Sequence, residues 1–351
     1  MSAGRILTAC LYVGFIASIS WACFRHPVAD DFDRYIYEAL VRGKHETVEA
    51  VYPVIKHSYK RAEESSVLDS PTHLGQLEPL YAIRPLYVKA IEATAFTRLP
   101  IQTRINLISA VALFGIGLVV LGWTGAPGYS ALLLATSAIV VVGRMGTPDG
   151  LSALVVIAGL WAITRDKLLI GVLLLLVSIW IRTDNVLLVL AVLGYLLWQK
   201  RMTIADAGLI SALSVGSVLS INHFSGNYSW GVLFQYSFIG GGSPAEVSPH
   251  FTVAQYLGVL ARSAETIIPQ VAIWALLGIV AWKWPSPCRE WLIPVWIAVM
   301  AHFVLYPSPE SRYLVWAFVV TGVIFVCGLQ HPTGVGLRPV PGRDSKIERC
   351  R

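Results

Sequence analysis

The sequence predicts an all-α, polytopic membrane protein, and three observations predict it. Of 351 residues, 55% are hydrophobic and only 14% are charged, with a mean hydropathy of +0.63. An ordinary soluble domain carries about 25% charged residues. About ten apolar stretches approach the ~20 residues that cross a hydrocarbon core. The charged residues fall at the ends of these stretches and in the connectors, with His302 the clearest polar residue inside one.

The first apolar stretch runs over about 6–24 and follows Arg5. It is long for a signal peptide and has no small-x-small cleavage site, so a retained helix is expected. Residues 25–104 form the longest polar stretch. Patches at 33–42 and 46–59 read as amphipathic helices on a membrane surface, or as part of an ordinary small extramembrane cap, carried by Tyr35, Tyr37, Leu40, Val48, Val51 and Tyr52. A Pro-punctuated segment from Ser70 to Pro85 follows. Further spans are expected at about 105–123, 128–145, 150–164, 167–183, 185–199 and 205–222. A second polar stretch, 223–263, holds Gly240-Gly241-Gly242, a triplet without the Gly-Lys-Ser/Thr of a phosphate loop and better suited to a flexible lid. The last spans lie at about 265–283, 289–306 and 312–329. The chain thus reads as one transmembrane domain over 1–329, with a Pro-, Gly- and Arg-rich cytoplasmic tail, 330–351, expected to be disordered. Several spans are short, so two neighbours can form a re-entrant pair.

Orientation follows from the connectors. With the amino terminus inside, the inner segments are Arg165-Asp166-Lys167, Gln199-Lys200-Arg201, Trp282 to Arg289 and the tail. Each is basic, as the positive-inside rule requires. This topology accounts for most of the net charge of +6. No basic stripe with interleaved aromatics indicates nucleic acid. The five cysteines, Cys10, Cys23, Cys288, Cys327 and Cys350, form no C-x-x-C pair and are expected to be buried thiols.

The outward face then collects Asp30-Asp31, Arg84-Pro85, Pro148-Asp149, Arg182-Thr183-Asp184-Asn185 and Pro309-Glu310-Ser311-Arg312-Tyr313. Adjacent carboxylates such as Asp30 and Asp31 serve as a general base or as metal ligands, or simply cap a helix. Arginines form planar, charge-assisted pairs with phosphate oxygens. Arg84, Arg182 and Arg312 are therefore candidates for a phosphate leaving group, or each marks a span end against lipid headgroups. Asp149, Asp184 and Glu310 can hold the arginines in place. Their hard oxygens also suit magnesium or manganese, and spacing does not decide between these uses. Peripheral charge of this kind fits an interfacial enzyme whose lipid substrate enters from the side.

The layout resembles the GT-C membrane glycosyltransferases, in particular the bacterial group that uses polyprenyl-phosphate sugars. The likeness rests on Ala29-Asp30-Asp31-Phe32-Asp33-Arg34-Tyr35 after the first helix and on Arg84-Pro85-Leu86-Tyr87 after a loop with surface helices. Thr147-Pro148-Asp149, the Arg182-Thr183-Asp184-Asn185 turn and Glu310-Ser311-Arg312-Tyr313-Leu314 complete it. The resemblance implies that Asp30 is the catalytic base, removing a proton from an acceptor hydroxyl as it attacks the anomeric carbon with inversion. It implies that Asp31 orients the acceptor or contributes to a metal site. Arg84, Arg182 and Arg312 would hold the donor phosphate, with Tyr87, Asp149, Asp184, Glu310 and Tyr313 in support. The implied partners are a polyprenyl-phosphate-sugar donor, an extracytoplasmic acceptor (glycan, lipid or protein) and membrane lipids. The implied location is the inner (plasma) membrane, with the active site on the extracytoplasmic side. Phe32 and the Asp33-Arg34 pair interrupt the aromatic run common after the acidic pair in that group. Competing expectations are a transporter or lipid flippase, another enzyme of polyprenyl lipids such as a phosphatase or ligase, and a non-catalytic envelope scaffold. No internal repeat or mid-membrane charge supports transport.

Overall fold

The computed structural model describes residues 3–28, 46–58, 70–240, 243–284, 286 and 288–330. Among these the chain is helical throughout, apart from one isolated bridge between Val28 and Met145. Asp30, Asp31, the expected surface helix at 33–42, Gly241, Gly242 and the tail lie outside the described residues.

Helix α1 (Ala3–Arg25) shows how a membrane helix sorts its faces. Tyr12, Ile16, Ser20 and Cys23, spaced by three or four residues, are buried, while Ile6, Leu7, Leu11 and Trp21 face outward. The buried stripe packs on α6 (Ile101–Thr124), where the Tyr12 hydroxyl donates to the Gly117 carbonyl at 2.8 Å. A Cβ at Gly117 would sit 3.0 Å from the Ile16 side chain, so any larger residue there would press on Ile16. Of the expected buried thiols, Cys23, Cys288 and Cys327 are buried. Cys10 is exposed on α1, because it lies outside that stripe.

A small cap follows, built from α2 (Val48–Ser58), α3 (Pro71–Gln76), α4 (Glu78–Ala82) and α5 (Pro85–Ala93). Ser70 caps α3 by accepting from the His73 amide at 3.1 Å, with Pro71 in the first turn. The cap core of Val51, Ile55, Leu74, Tyr87 and Ile91 is continuous with Ile105, Ile108 and Ile181 of the bundle. The cap therefore sits over the start of α6 and the end of α10.

The expected span at 128–145 is a bent pair, α7 (Pro127–Leu134) and α8 (Ser137–Arg144), meeting at 67°. The antiparallel pair α9 (Asp149–Thr164) and α10 (Leu168–Ile181) packs through facing glycines. A Cβ on Gly171 would lie 2.6 Å from the Gly159 carbonyl oxygen. Asp149 lies ten residues from Gly159, and Arg182 eleven from Gly171. At 1.5 Å per residue both are about 15–17 Å from the crossing, so they end level with each other.

The chain continues through α11 (Val186–Trp198), α12 (Ile204–Ser225), the short α13 (Trp230–Phe234), α14 (Val253–Lys283), α15 (Leu292–Leu305) and α16 (Val315–Gln330). Helix α14 starts twelve residues before the expected 265, closed by a capping box between Thr252 and Gln255. Its 31 residues span about 46 Å, beyond the ~30 Å hydrocarbon core. Helix α16 is the central element, with Val315 to Ile324 all buried. A helix apolar on every side belongs at the centre of a bundle. Among the described residues, five helical segments are long and apolar enough to cross a membrane, or six if the bent pair counts as one span. Helices α9 and α10 and the segment Thr183–Trp198 are apolar but shorter.

Candidate functional site

The N-terminus of α9, the C-termini of α8, α10 and α15, and the start of α16 all meet at one end of the bundle. Asp149 is the first residue of α9, where the helix dipole favours an anion. The Thr147 hydroxyl donates to its Oδ2 at 2.7 Å. Its Oδ1 accepts from Arg182 Nη1 in a close ion pair.

Arg182 stands just past α10 in extended conformation, before a tight turn over Thr183–Asn185. Asp184 grips its guanidinium in two-pronged fashion, with Nε–Oδ1 at 3.0 Å and Nη2–Oδ2 at 2.7 Å. Asn185 anchors the turn by donating to Ser152 Oγ (2.8 Å) and to the Ser178 carbonyl (3.0 Å). His302, in the last turn of α15, meets Asp184 Oδ2 through Nε2 at 2.8 Å.

The segment after α15 brings in the remaining members. Arg312 forms a close ion pair with Glu310 and lies 3.7 Å from Asp149 Oδ2. Its Nη2 donates to the Tyr313 hydroxyl at 3.3 Å. Both guanidiniums lie over the Tyr313 ring, Arg182 at 4.5 Å and Arg312 at 5.1 Å from its centroid. One aromatic ring thus supports two buried cations. The side chains of Asp149, Arg312 and Arg182 are 2%, 6% and 8% exposed, that of Glu310 49%.

The second polar stretch braces this end. The Trp230 indole donates to the Leu305 carbonyl at 2.8 Å, and the Tyr256 hydroxyl to that of Val304 at 2.6 Å. Both satisfy carbonyls that the end of α15 would otherwise orphan. Phe238 packs on Tyr306 with ring centroids 4.8 Å apart, and Tyr306 lies 6.1 Å from Tyr313. Gly240 closes the irregular turn after Phe238 with φ +87°, a conformation that suits glycine.

Six of the sequence-derived candidates converge: Asp149, Arg182, Asp184, Glu310, Arg312 and Tyr313. Arg84 is placed in the cap, where it donates to the Leu80 carbonyl at 3.2 Å and covers the Tyr81 ring. Tyr87 is fully buried in the cap core. Asp30 and Asp31 lie outside the described residues, but the chain leading to them is tied to the site. The Val28 amide donates to the Arg144 carbonyl at 2.9 Å, and Arg144 Nε donates to the His26 carbonyl at 2.9 Å. Val28 thus pairs beside Met145, four residues before Asp149. Among the described residues, no three His, Cys, Asp or Glu side chains gather as a metal site. His302, Thr147, Asn185 and Tyr306 join the cluster without having been singled out as site residues. For His302 a signal existed, since an ionisable side chain within an apolar helix marks a site more often than not.

No protein-family model matches the chain, and neither the curated proteins nor the solved structures gave a match.

Proposed function

We propose that this protein is an inverting membrane glycosyltransferase of the GT-C type, with ten membrane-crossing segments. It moves a sugar from a polyprenyl-phosphate donor to an acceptor on the extracytoplasmic side. One observation carries the reading: two buried guanidiniums share the Tyr313 ring at the bundle end where Val28 leads into Asp30-Asp31. In this mechanism the Asp30 carboxylate takes the proton from an acceptor hydroxyl. The acceptor oxygen attacks the anomeric carbon from the face opposite the phosphate. The carbon–oxygen bond to phosphate breaks, and its electron pair leaves with the phosphate. Arg312 and Arg182 neutralise that developing charge in a water-poor setting, where such stabilisation counts most. Asp149 and Asp184 hold the guanidiniums in register. Asp31 orients the acceptor or joins Asp30 on a divalent cation.

The opposite end of the bundle supports the sidedness. Arg165, Lys167, Lys200, Arg201 and Arg289 lie there, as cytoplasmic connectors require. The inner membrane is the matching location.

A second reading, hydrolysis of a polyprenyl phosphate, has one observation in its favour. His302 is oriented by Asp184 beside Arg182, a grouping suited to attack on phosphorus. A single assay separates the two. Purified protein is given radiolabelled polyprenyl-phosphate sugars and candidate acceptors, and both sugar transfer and released inorganic phosphate are counted. Sugar transfer that is lost in Asp30→Ala, with unfolding temperature unchanged, is the expected result. Phosphate release without transfer would favour hydrolysis, and equal transfer by Asp30→Ala would remove the base.

A further inference from the structure

Among the described residues, Arg182 and Arg312 are set between three carboxylates, Asp149, Asp184 and Glu310, with His302 on the far side of Asp184. In order of contact the groups form one row, His302, Asp184, Arg182, Asp149, Arg312, Glu310. Asp149 and Asp184 stand inside the row and are each held from both sides. Glu310 stands at its open end.

A carboxylate already on Arg312 opposes an incoming phosphate, and one of the two must yield. Asp149 is poorly placed to do so, because it is itself buried between Arg182 and Arg312. Glu310 is well placed. Its side chain is 49% exposed, and it lies in the irregular stretch between α15 and α16. Turning outward returns its carboxylate to water at little desolvation cost.

We infer that Glu310 is an anion placeholder: its carboxylate occupies the position on Arg312 that a ligand phosphate takes over, and it turns into water as the phosphate arrives. The inference rests on the reading of this cluster as a phosphate site. A tethered carboxylate is present at an effective concentration on the order of millimolar. It therefore sets a threshold that weakly held headgroups do not meet.

The test uses the full-length protein in a detergent without phosphate headgroups, titrated with farnesyl phosphate, inorganic phosphate or farnesol. Glu310→Gln and Glu310→Ala are each expected to bind farnesyl phosphate about fivefold more tightly, the effect of removing one half-exposed competing ion pair. An equal gain with inorganic phosphate assigns the position to phosphate from either source, and a gain confined to farnesyl phosphate assigns it to the lipid. Farnesol affinity is expected to stay constant. Unchanged or weaker binding of farnesyl phosphate by both variants overturns the placeholder, as does a matching gain with farnesol. The sugar-transfer assay on the same preparations keeps the two ideas apart. Tighter binding without transfer leaves the placeholder standing and removes the glycosyltransferase reading. Transfer without tighter binding does the reverse.

Discussion

The two ends of the helix bundle use arginine in opposite ways. At the connector end, Arg165 donates to the Gly122 carbonyl (3.0 Å), Arg201 to that of Ile163 (3.1 Å) and Arg289 to that of Trp282 (3.3 Å). Each acceptor lies in the last turn of α6, α9 or α14, where carbonyls lack partners and the dipole favours a cation. The one described ion pair there, Arg201–Asp166, is 31% and 38% exposed. At the cluster end, Arg182 and Arg312 face carboxylates instead, nearly out of contact with water. Burying that many charges is seldom a net gain in stability over well-packed apolar groups. The contrast teaches that arginines at one end close helices, while those at the other are held buried against carboxylates.

Substitutions that exchange one end for the other sharpen this. The largest effect is expected for Arg182→Gln, which leaves Asp149 and Asp184 buried without their cation. A loss of about 3–5 kcal/mol is expected by thermal or denaturant unfolding in detergent. Arg201→Gln, the counterpart at the connector end, is expected to cost under about 1 kcal/mol and to leave turnover unchanged. Equal losses would erase the distinction. Next comes Tyr313→Leu, which removes the ring beneath both guanidiniums. About 2 kcal/mol of cation–π support corresponds to roughly thirtyfold weaker binding of farnesyl phosphate. Tyr313→Phe keeps the ring and is expected to retain most of the affinity; a drop as large as that of Tyr313→Leu would assign the effect to the hydroxyl instead. A gain rather than a loss is expected for Lys200→Gly. Lys200 holds φ +54° in a tight connector, so glycine is expected to raise stability by about 1 kcal/mol without altering activity. Loss of activity there would show that the connector end is not merely structural.

Much of this arrangement is legible in the sequence because hydropathy locates span ends, and span ends are where Asp149, Arg182 and Arg312 sit. Left-handed glycines mark stops cleanly, as at Gly125 (φ +63°) after α6 and Gly226 (φ +62°) after α12. What hydropathy cannot give is the rotation of each helix about its axis. The His302–Asp184 contact joins residues 118 apart and depends on how α15 turns toward α11. Arg84 shares the Arg-Pro pattern of a site residue, but the sequence does not show that its contacts include the Leu80 carbonyl and the Tyr81 ring. The bend between α7 and α8 has no Gly or Pro at Ala135-Thr136, and its continuous hydropathy reads as a single span. The early start of α14 is hidden by the polar residues Gln255, Arg262 and Glu265, although Thr252 and Gln255 carry the capping signal.

The central claim is that the charged end, not the connector end, receives the phosphate of a lipid. Photo-cross-linking with a polyprenyl phosphate carrying a diazirine beside its headgroup tests it directly, with adducts mapped by mass spectrometry. Adducts within 146–152 and 306–314, competed away by unlabelled polyprenyl phosphate, are the expected result. Adducts concentrated at 163–167, 199–203 and 288–291 would contradict the account.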